Sequence, residues 1–500
     1  MQNDVIIIGG GLGGLFTGAL LAREGRSVTI VEKNAAIGGG LQSFHRFGST
    51  FDTGMHTLGG FNHGDNLDRI CRYLGIRDQL HIKPDDCLTQ ITNASDGVTY
   101  HMEYGRENFV KSLAGYFPHE ADNLKHYVDT LYRLTDEVPI FHLRDTEDYI
   151  LTHSPEFLMA ADELIAAYIA DERLRDLLAF MNPMYGGVAG HTPAYVHALI
   201  NVLYINRPFR FVDDSAHLAH LLADVVKQNG GQILSGEEVT QIEAEDRHLT
   251  AVCTSRGKRL TANTYIGAIH PLTLCRMLPP GTWPPAYRKR LEQIALTNSA
   301  FTIYITFKPK TFPYIDHTCY WQADYGLMWQ HATTPQSLWP QGFMYFTPPV
   351  KGQGQWAEKM VVNCVMDFKE TEKWSHTLTH HRGEDYERWK TQRIEAVVEQ
   401  LTRLYPNIKD QIAQIGASSP LTIRDYYHTP RGALFGYAKD CHQPALSYLP
   451  VRTKVDNLLL TGQNINLHGI CGVPLTAIVT AEALTGRNHI VRKIREATDN

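Results

Sequence analysis

Three glycines near the start of the sequence have the spacing of a phosphate-binding turn. Gly9, Gly11 and Gly14 satisfy G-x-G-x-x-G and follow a β-branched run at 5–8. The first glycine permits a tight turn, the second lets the backbone approach a pyrophosphate, and the third lets a helix pack closely on the strand. Glu32 comes 18 residues after Gly14, where a carboxylate can bind ribose hydroxyls. This spacing predicts a dinucleotide site.

Further glycines follow Glu32 and distinguish a flavin from a nicotinamide. Gly38, Gly39 and Gly40 come directly after the second predicted strand, where a simple nicotinamide dehydrogenase would continue into another crossover helix. The stretch FDTGMH at 51–56 adds a third glycine-containing segment. A second cluster predicts a second approach of the backbone to the same pyrophosphate. The pattern therefore favours a flavin dinucleotide.

A related pattern occurs near the other end of the sequence. The leucines at 458–460 predict a strand, Gly462 predicts a turn, and a loop with Gly469 and Gly472 leads into a predicted helix. An ordinary strand, turn and helix is one interpretation of this segment. Two glycine motifs that each open a helix favour a shared ligand instead. Gln463 follows the turn glycine, and its amide can bind ribityl hydroxyls or phosphate.

These residues resemble the motifs of a known family. Glu32, Gly38, Gly39 and Ser43 are similar to the E-x-x-x-x-x-G-G-R-x-x-S signature of the flavin amine oxidase superfamily. FDTGMH is similar to the F-D-x-G-x-H stretch of retinol saturases and carotenoid isomerases. The sequence is thus identified as a member of the phytoene desaturase, carotenoid isomerase and retinol saturase family of FAD-dependent oxidoreductases. It departs from the pattern at Gly40, where many relatives carry arginine.

The resemblance implies a cofactor and its contacts. The cofactor is non-covalent FAD, and the backbone of Val239 is expected to face the adenine. The residues expected to contact FAD are Gly9, Gly11, Gly13, Gly14, Glu32, Lys33, Gly38, Gly39, Gly40, Leu41, His56, Val239, Gly462, Gln463, Gly472 and Val473.

The elements that must position these residues predict an α/β fold. A Rossmann-type FAD-binding lobe is expected at 1–75, 210–285 and 415–500, with an inserted α+β substrate lobe at 76–209 and 286–414. The substrate lobe is mostly helical in pattern at 105–205 and has aromatic strands at 299–368. These strands either fill a sheet core or line a long apolar cavity.

One helix of the FAD lobe has clear start and stop signals. Apolar residues at 218, 221, 222 and 225 have helical spacing, and the glycines at 230–231 end the helix. Asp213 is expected to cap its beginning, with Asp214 and Ser215 as the alternatives.

Composition excludes several classes of protein. The sequence is 43% hydrophobic and 20% charged, which is typical of a globular protein, and its net charge of −6 argues against nucleic acid as a partner. The eight cysteines are scattered without C-x-x-C, as in a reducing compartment. No histidine pair has metal-ligand spacing with a supporting carboxylate, so no metal is predicted. Without a secretory signal or a long apolar run, the expected location is cytoplasmic, with peripheral membrane contact left open.

The remaining chemistry is that of one flavin. Only one G-x-G-x-x-G occurs and no redox C-x-x-x-x-C accompanies it, so a plan with two dinucleotides is not expected. A bound flavin would exchange hydride with an organic substrate and use a diffusible electron donor or acceptor. The resemblance implies an apolar polyene or isoprenoid substrate that reacts at a carbon–carbon double bond. Reduction, as in retinol saturases, is favoured. Desaturation, cis–trans isomerisation and a non-enzymatic lipid escort protein are the alternatives.

Reduction of a double bond requires one proton besides the hydride. His56 is the predicted donor, because FDTGMH should lie beside the isoalloxazine and imidazole titrates near neutral pH. A histidine that only holds its loop by a hydrogen bond would give the same sequence. His468 and Tyr426 are the other candidates.

Overall fold

The computed structural model describes residues 3–54, 56–146, 153–330 and 335–499. Its strands in chain order are β1 (Asn3–Ile8), β2 (Val28–Glu32), β3 (Ser43–Arg46), β4 (Ser49–Asp52), β5 (Ile82–Pro84), β6 (Thr89–Asn93), β7 (Thr99–Met102), β8 (Phe209–Phe211), β9 (Gln232–Ser235), β10 (Val239–Glu245), β11 (His248–Thr254), β12 (Arg259–Leu260), β13 (Ala262–Gly267), β14 (Ser299–Phe307), β15 (Thr318–Gln322), β16 (Gly342–Phe346), β17 (Lys359–Met366), β18 (Ile412–Ser418) and β19 (Leu458–Leu460).

The helices lie between these strands, and several of them follow one another directly at 106–206. In chain order they are α1 (Leu12–Arg23), α2 (Asn66–Tyr73), α3 (Arg106–Tyr116), α4 (Ala121–Asp136), α5 (Ala161–Tyr168), α6 (Glu172–Leu178), α7 (Ala194–Asn206), α8 (Ala216–Gln228), α9 (Pro271–Met277), α10 (Pro285–Gln293), α11 (Glu384–Leu404), α12 (Ile408–Gln411), α13 (Pro420–Tyr427), α14 (Pro444–Ser447), α15 (Gly469–Thr485) and α16 (His489–Thr498).

A five-stranded parallel sheet carries the glycine motifs. Its order is β19–β13–β1–β2–β9, and every neighbouring pair is parallel. The central strand β1 is covered on both faces: Ile7 belongs to the same core cluster as Phe16 of α1, and Ile6 belongs to another that contains Val239. Burial on both faces accounts for the unbroken apolar run of this strand. The predicted α/β class with a Rossmann-type sheet is confirmed.

A second large sheet contains the predicted aromatic strands. Its order is β18–β14–β17–β16–β15–β6–β7, with β15 and β6 parallel and the other pairs antiparallel. All nine residues of β14 are buried. Phe301 packs against Trp389 of α11, while Tyr304 packs against Phe51 of β4. One face of this sheet therefore fills a core, and the other faces the glycine-bearing lobe.

The helical pattern at 105–205 corresponds to α3–α7, although positions 147–152 lie outside the described residues. Helices α4 and α7 are joined by a hydrogen bond between Tyr127 Oη and His197 Nε2 at 2.6 Å. These helices and the seven-stranded sheet supply the non-Rossmann part of the fold.

The predicted cap of α8 needs a correction. Asp213 does not cap this helix: its Oδ1 accepts a hydrogen bond from the backbone N–H of Lys351 at 2.8 Å. Asp214 accepts instead from the N–H of His217 at 3.1 Å. Ser215 is turned away, and its hydroxyl donates to Oδ1 of Asp52 at 2.8 Å. Asp213 has a φ of 71°, which carries its side chain out of reach of the helix.

The lobe boundaries predicted from the sequence remain a prediction. The five parallel strands come from 3–32, 232–267 and 458–460, while β18 spans the expected boundary at 415 and belongs to the seven-stranded sheet.

Within the described part of the chain, no helix alone is long and apolar enough to cross a membrane. Helices α15 and α16 meet that test only as a pair, and they are bent by 118°.

Candidate functional site

A cavity of ≈ 990 Å³ is lined by residues of both large sheets. Thr302, Met344 and Asn363 contribute from the seven-stranded sheet. The volume lies in the range of roughly 300–1,000 Å³ that small-molecule and cofactor sites occupy. The sequence-predicted residues that line this cavity are Gly9, Gly11, Gly13, Glu32, Lys33, Gly39, Gly40, Leu41, His56, Val239, Gly462, Gln463 and Val473.

The first glycine turn presents bare backbone to the cavity. Gly11 lies directly before α1 with an extended backbone, and the nearest atom to a Cβ added there would be Gly39 Cα, at 3.9 Å. The amides of the first turn of α1 and the positive end of its dipole face the same way. The turn therefore offers room and hydrogen-bond donors to an anionic group.

The second glycine cluster packs directly against this turn. The N–H of Gly38 donates to the carbonyl of Gly10 at 2.8 Å, and Gly11 and Gly38 form an isolated parallel bridge. Gly38 and Gly39 have positive φ values of 112° and 57°. A Cβ at Gly39 would lie 3.2 Å from Gly11 Cα. The two clusters thus form one continuous wall that larger residues would disrupt.

Glu32 is fixed at the edge of the glycine turn. Its Oε2 accepts from the N–H of Gly10 and its Oε1 from the N–H of Asn34, both at 2.7 Å. Burial raises the pKa of Glu32, while the hydrogen bonds from Asn34 and Gly10 act in the opposite direction. Each carboxylate oxygen keeps a lone pair, so the group can accept hydrogen bonds from a ligand.

Two neighbours of Glu32 complete this edge. Lys33 forms an ion pair with Glu238 at 2.8 Å, and both side chains are substantially exposed. Val239, at the start of β10, is buried and lines the cavity. The edge thus combines a buried carboxylate, an apolar side chain and a solvent-exposed ion pair.

The C-terminal glycine motif closes the opposite wall. A Cβ at Gly13 would lie 2.8 Å from Gly462 Cα, so α1 and the β19 turn meet at two glycines. Gly462 has a φ of 95° and no atom within 4 Å of an added Cβ. Thr17 and Thr461 join the segments by a hydrogen bond of 2.9 Å between their hydroxyls. Gln463 donates to the carbonyl of Leu434 at 3.3 Å.

Three of the predicted contact residues do not line the cavity. A Cβ at Gly14 would lie 2.0 Å from the carbonyl oxygen of Gly9, and one at Gly472 would lie 2.5 Å from Leu467 Cβ. Gly38 would meet Ala219 at 3.1 Å. These glycines permit close packing behind the wall, which the motif spacing alone does not distinguish from ligand contact.

His56 lines the cavity on the loop after β4. Its ring is half-buried and lies 5.3 Å from the ring of Phe346. Met55, which precedes it in FDTGMH, lies outside the described residues. Tyr426, another predicted candidate, is 48% exposed at the cavity rim. Of these two side chains, His56 is the one inside.

Sequence reasoning missed Tyr427. Its hydroxyl lies 3.8 Å from a Cβ added at Gly40 and 2.5 Å from one added at Gly54, and the side chain lines the cavity. Burial raises the pKa of Tyr427, so the phenol is neutral and can donate a hydrogen bond. No local spacing indicates this residue, because the glycines that make room for it are far away in sequence.

The arrangement defines a class of protein: an α/β fold that binds a dinucleotide beside a large reaction cavity. A family model described as flavin containing amine oxidoreductase matches residues 12–485, so the chain belongs to this family. It is a flavin-dependent oxidoreductase, and FAD is its cofactor. The family resemblance of the glycine motifs is confirmed.

Individual relatives agree with this assignment. Human all-trans-retinol 13,14-reductase is 24% identical over 527 residues, covering 97% of this chain and 86% of the relative. Prolycopene isomerase 1 of an Oncidium hybrid cultivar is 25% identical over 454 residues, covering 85% of this chain and 74% of the relative. The crystal structure of an oxidoreductase from Methanosarcina mazei has a TM-score of 0.64 at 14% identity, covering 96% of this chain and 100% of that one. The structural similarity shows a shared fold.

Proposed function

We propose that the protein reduces a carbon–carbon double bond in an apolar polyene or isoprenoid, in the manner of a retinol saturase. The observation that carries the proposal is the cavity, which extends from the glycine turns to an apolar wall. That wall includes Met184, Ile200, Leu203, Tyr204 and Met344. Such side chains suit a hydrocarbon and exclude water from the reacting atoms. The near full-length similarity to all-trans-retinol 13,14-reductase supports the same substrate class.

We propose that FAD is bound non-covalently by the predicted residues that line the cavity. The space at Gly11 and Gly462 is what a pyrophosphate needs, and the amides at the start of α1 can donate to it. Glu32 would accept from ribose hydroxyls, and Val239 would contact the adenine. When bound and reduced, FAD supplies the hydride. Gly14, Gly38 and Gly472 would support this site through packing.

The chain must supply the proton that completes the reduction. His56 is the donor proposed from the sequence, and its position on the cavity wall is compatible with that role. His468 also lines the cavity and is the second candidate. Tyr426 fits this role less well, because a side chain at the rim is exposed to water.

Redox-neutral isomerisation is the second candidate function. The similarity to a prolycopene isomerase favours it, since that relative covers 85% of the chain. Desaturation would use the same cofactor in the opposite direction. A lipid escort protein would not need the fixed carboxylate of Glu32. The presence of this carboxylate therefore favours an enzyme.

Mass spectrometry separates these functions. The purified protein is reduced anaerobically and incubated with a panel of polyenes, beginning with all-trans-retinol. A product heavier by two hydrogens supports reduction. A product of unchanged mass but altered retention time would show isomerisation in place of reduction. A product lighter by two hydrogens, formed by the oxidised protein, would show desaturation.

We further propose a diffusible electron donor and a cytoplasmic location, with peripheral membrane contact as a route for the apolar substrate. The scattered cysteines, all free in the structure, suit a reducing compartment.

We also propose that the FAD lobe is assembled from 1–75, 210–285 and 415–500. The parallel pairing of β1 with β13, and of β13 with β19, supports this division.

A further inference from the structure

Lys439 is a buried amine outside the glycine motifs. It lies between α13 and α14, is 7% exposed, and donates through Nζ to the carbonyl of Ser447 at 2.8 Å. An ammonium has three protons to donate, so this one bond leaves capacity for other acceptors. Burial lowers the pKa of Lys439 to about 7, so the amine can gain and lose a proton near neutral pH.

His468 lines the same small pocket as this amine. It lies directly before α15, is 7% exposed, and its ring is 5.0 Å from that of Phe435. Its Nε2 is buried without a hydrogen-bond partner among the described residues. Burial, with a contribution from the charge of Lys439, lowers the pKa of His468 to about 3. The imidazole is therefore neutral, with one nitrogen that donates and one that accepts.

A small pocket connects the two side chains. Its volume is ≈ 20 Å³, and its polar residues are Lys439, Asn466 and His468. A water molecule requires roughly 10–15 Å³ and two to four polar partners, so this pocket suits one water. His468 also lines the large cavity, and it therefore separates the small pocket from the substrate space.

We propose that Lys439, one water in the small pocket and His468 form a proton relay into the large cavity. This inference rests on the proposed reduction, in which one carbon of the double bond receives a hydride from the cofactor and the other receives a proton. The ammonium of Lys439 gives a proton to the water, and the water gives one to a ring nitrogen of His468. The other ring nitrogen releases its proton to the carbon, so the imidazole ends neutral with its proton on the opposite nitrogen, and rotation of the ring restores the starting tautomer.

The relay can be recharged from solvent. After one turnover Lys439 is a neutral amine, and it regains its proton from water at the nearby surface, where His442 and Gln443 are exposed. Unlike a lone histidine at the cavity, this arrangement has a defined proton source behind it.

Two oxidation reactions of the reduced, FAD-loaded protein test the relay. All-trans-retinol must accept a hydride and a proton, whereas ferricyanide accepts electrons without protonation of a carbon. In anaerobic stopped-flow measurements, Lys439→Met and His468→Gln should each slow oxidation by all-trans-retinol about 100-fold, the lower end for general acid catalysis. Oxidation by ferricyanide should be unchanged in both variants. Either variant alone can test the relay if the other fails to fold.

Lys227→Met is the matched control, because Lys227 is an exposed lysine of α8 outside both pockets. Its rates should equal those of the wild type. Oxidation of the Lys439→Met and His468→Gln proteins by all-trans-retinol at near wild-type rates would overturn the relay alone. Equal slowing with retinol and ferricyanide would also overturn it, since that indicates a general disturbance of the site. A wild-type protein that reduces no polyene would overturn the proposed function and the relay with it.

Discussion

Valine at position 11 would put two methyl groups into the space proposed for the pyrophosphate. The structure has room for the Cβ of this residue, because the only atom within 4 Å of an added Cβ is Gly39 Cα at 3.9 Å. The backbone of Gly11 is extended, with φ −76° and ψ −175°, which valine adopts readily. We therefore expect the variant to fold and to lose FAD.

The two effects differ in size. Valine is a poorer residue than glycine before a helix, so the free energy of unfolding of the apoprotein should fall by about 1 kcal/mol or less. A displaced pyrophosphate would lose at least two charge-assisted hydrogen bonds to the backbone. At about 1.5 kcal/mol each, these amount to about 3 kcal/mol, or roughly a 150-fold increase in the Kd for FAD.

Urea unfolding of the apoprotein and titration of FAD by fluorescence quenching measure the two quantities. Gly354→Val is the matched control, because Gly354 is exposed and an added Cβ there has no neighbour within 4 Å. Gly14→Ala should behave differently and destabilise the apoprotein, since its Cβ would lie 2.0 Å from the carbonyl oxygen of Gly9. An unchanged Kd for FAD in Gly11→Val would refute the assignment of the pyrophosphate to this turn.

Four other substitutions or fragments test the remaining assignments. Glu32→Gln should weaken FAD binding and destabilise the apoprotein by about 1–3 kcal/mol, because an amide cannot accept from both backbone N–H groups. Glu292→Gln, at an exposed ion pair with Arg288 away from the cavity, should do neither, and equal effects of the two substitutions would contradict the role of Glu32. If His56 donates the proton, His56→Ala should keep a reducible flavin and slow turnover about 100-fold. Turnover near the wild-type rate would exclude His56 and leave His468 as the candidate proton donor. Between about pH 10 and 7 the unfolded wild-type chain binds a proton at Lys439 that the folded protein does not, so the free energy of unfolding of the wild type should fall as the pH is lowered. Lys439→Met lacks this proton, and its free energy of unfolding in urea should therefore rise relative to that of the wild type. A difference that stays constant with pH would contradict the lowered pKa of Lys439. Residues 1–210 expressed alone should be insoluble or flavin-free, and a stable flavin-loaded fragment would contradict the proposed lobes.

The sequence reveals those parts of the site that depend on local geometry. A strand, a glycine turn and a helix must occur together, so Gly11 and Glu32 are recognisable from spacing alone. Spacing does not reveal which glycines face the ligand: Gly14 and Gly472 are needed for packing, yet they occur in the same motifs. The prediction of Asp213 as the cap of α8 was wrong for a related reason, because the backbone of Asp213 turns its side chain towards Lys351.

Other features arise only when distant segments meet. Tyr427 fills space left by Gly40 and Gly54, and Lys439 approaches His468 from another loop. Neither pair has a sequence spacing with a recognised chemistry. The aromatic strand β14 was predicted from its composition, but its burial on both faces depends on α11 and β4, which lie elsewhere in the chain.

The pairing of Thr17 with Thr461 has a consequence for how the protein is made. Their hydroxyls are in contact although 444 residues separate them. At about 5–20 residues per second, roughly 20–90 s pass during synthesis between these two positions. During this time α1 lacks α15, against which it packs in the finished protein, and the Gly462 wall of the cavity does not exist. The face of α1 that packs against α15 therefore stays uncovered until the C-terminal glycine motif has been synthesised, and FAD can stabilise this part of the protein only afterwards. The supply of free FAD at that moment should influence how much of the protein reaches its folded state.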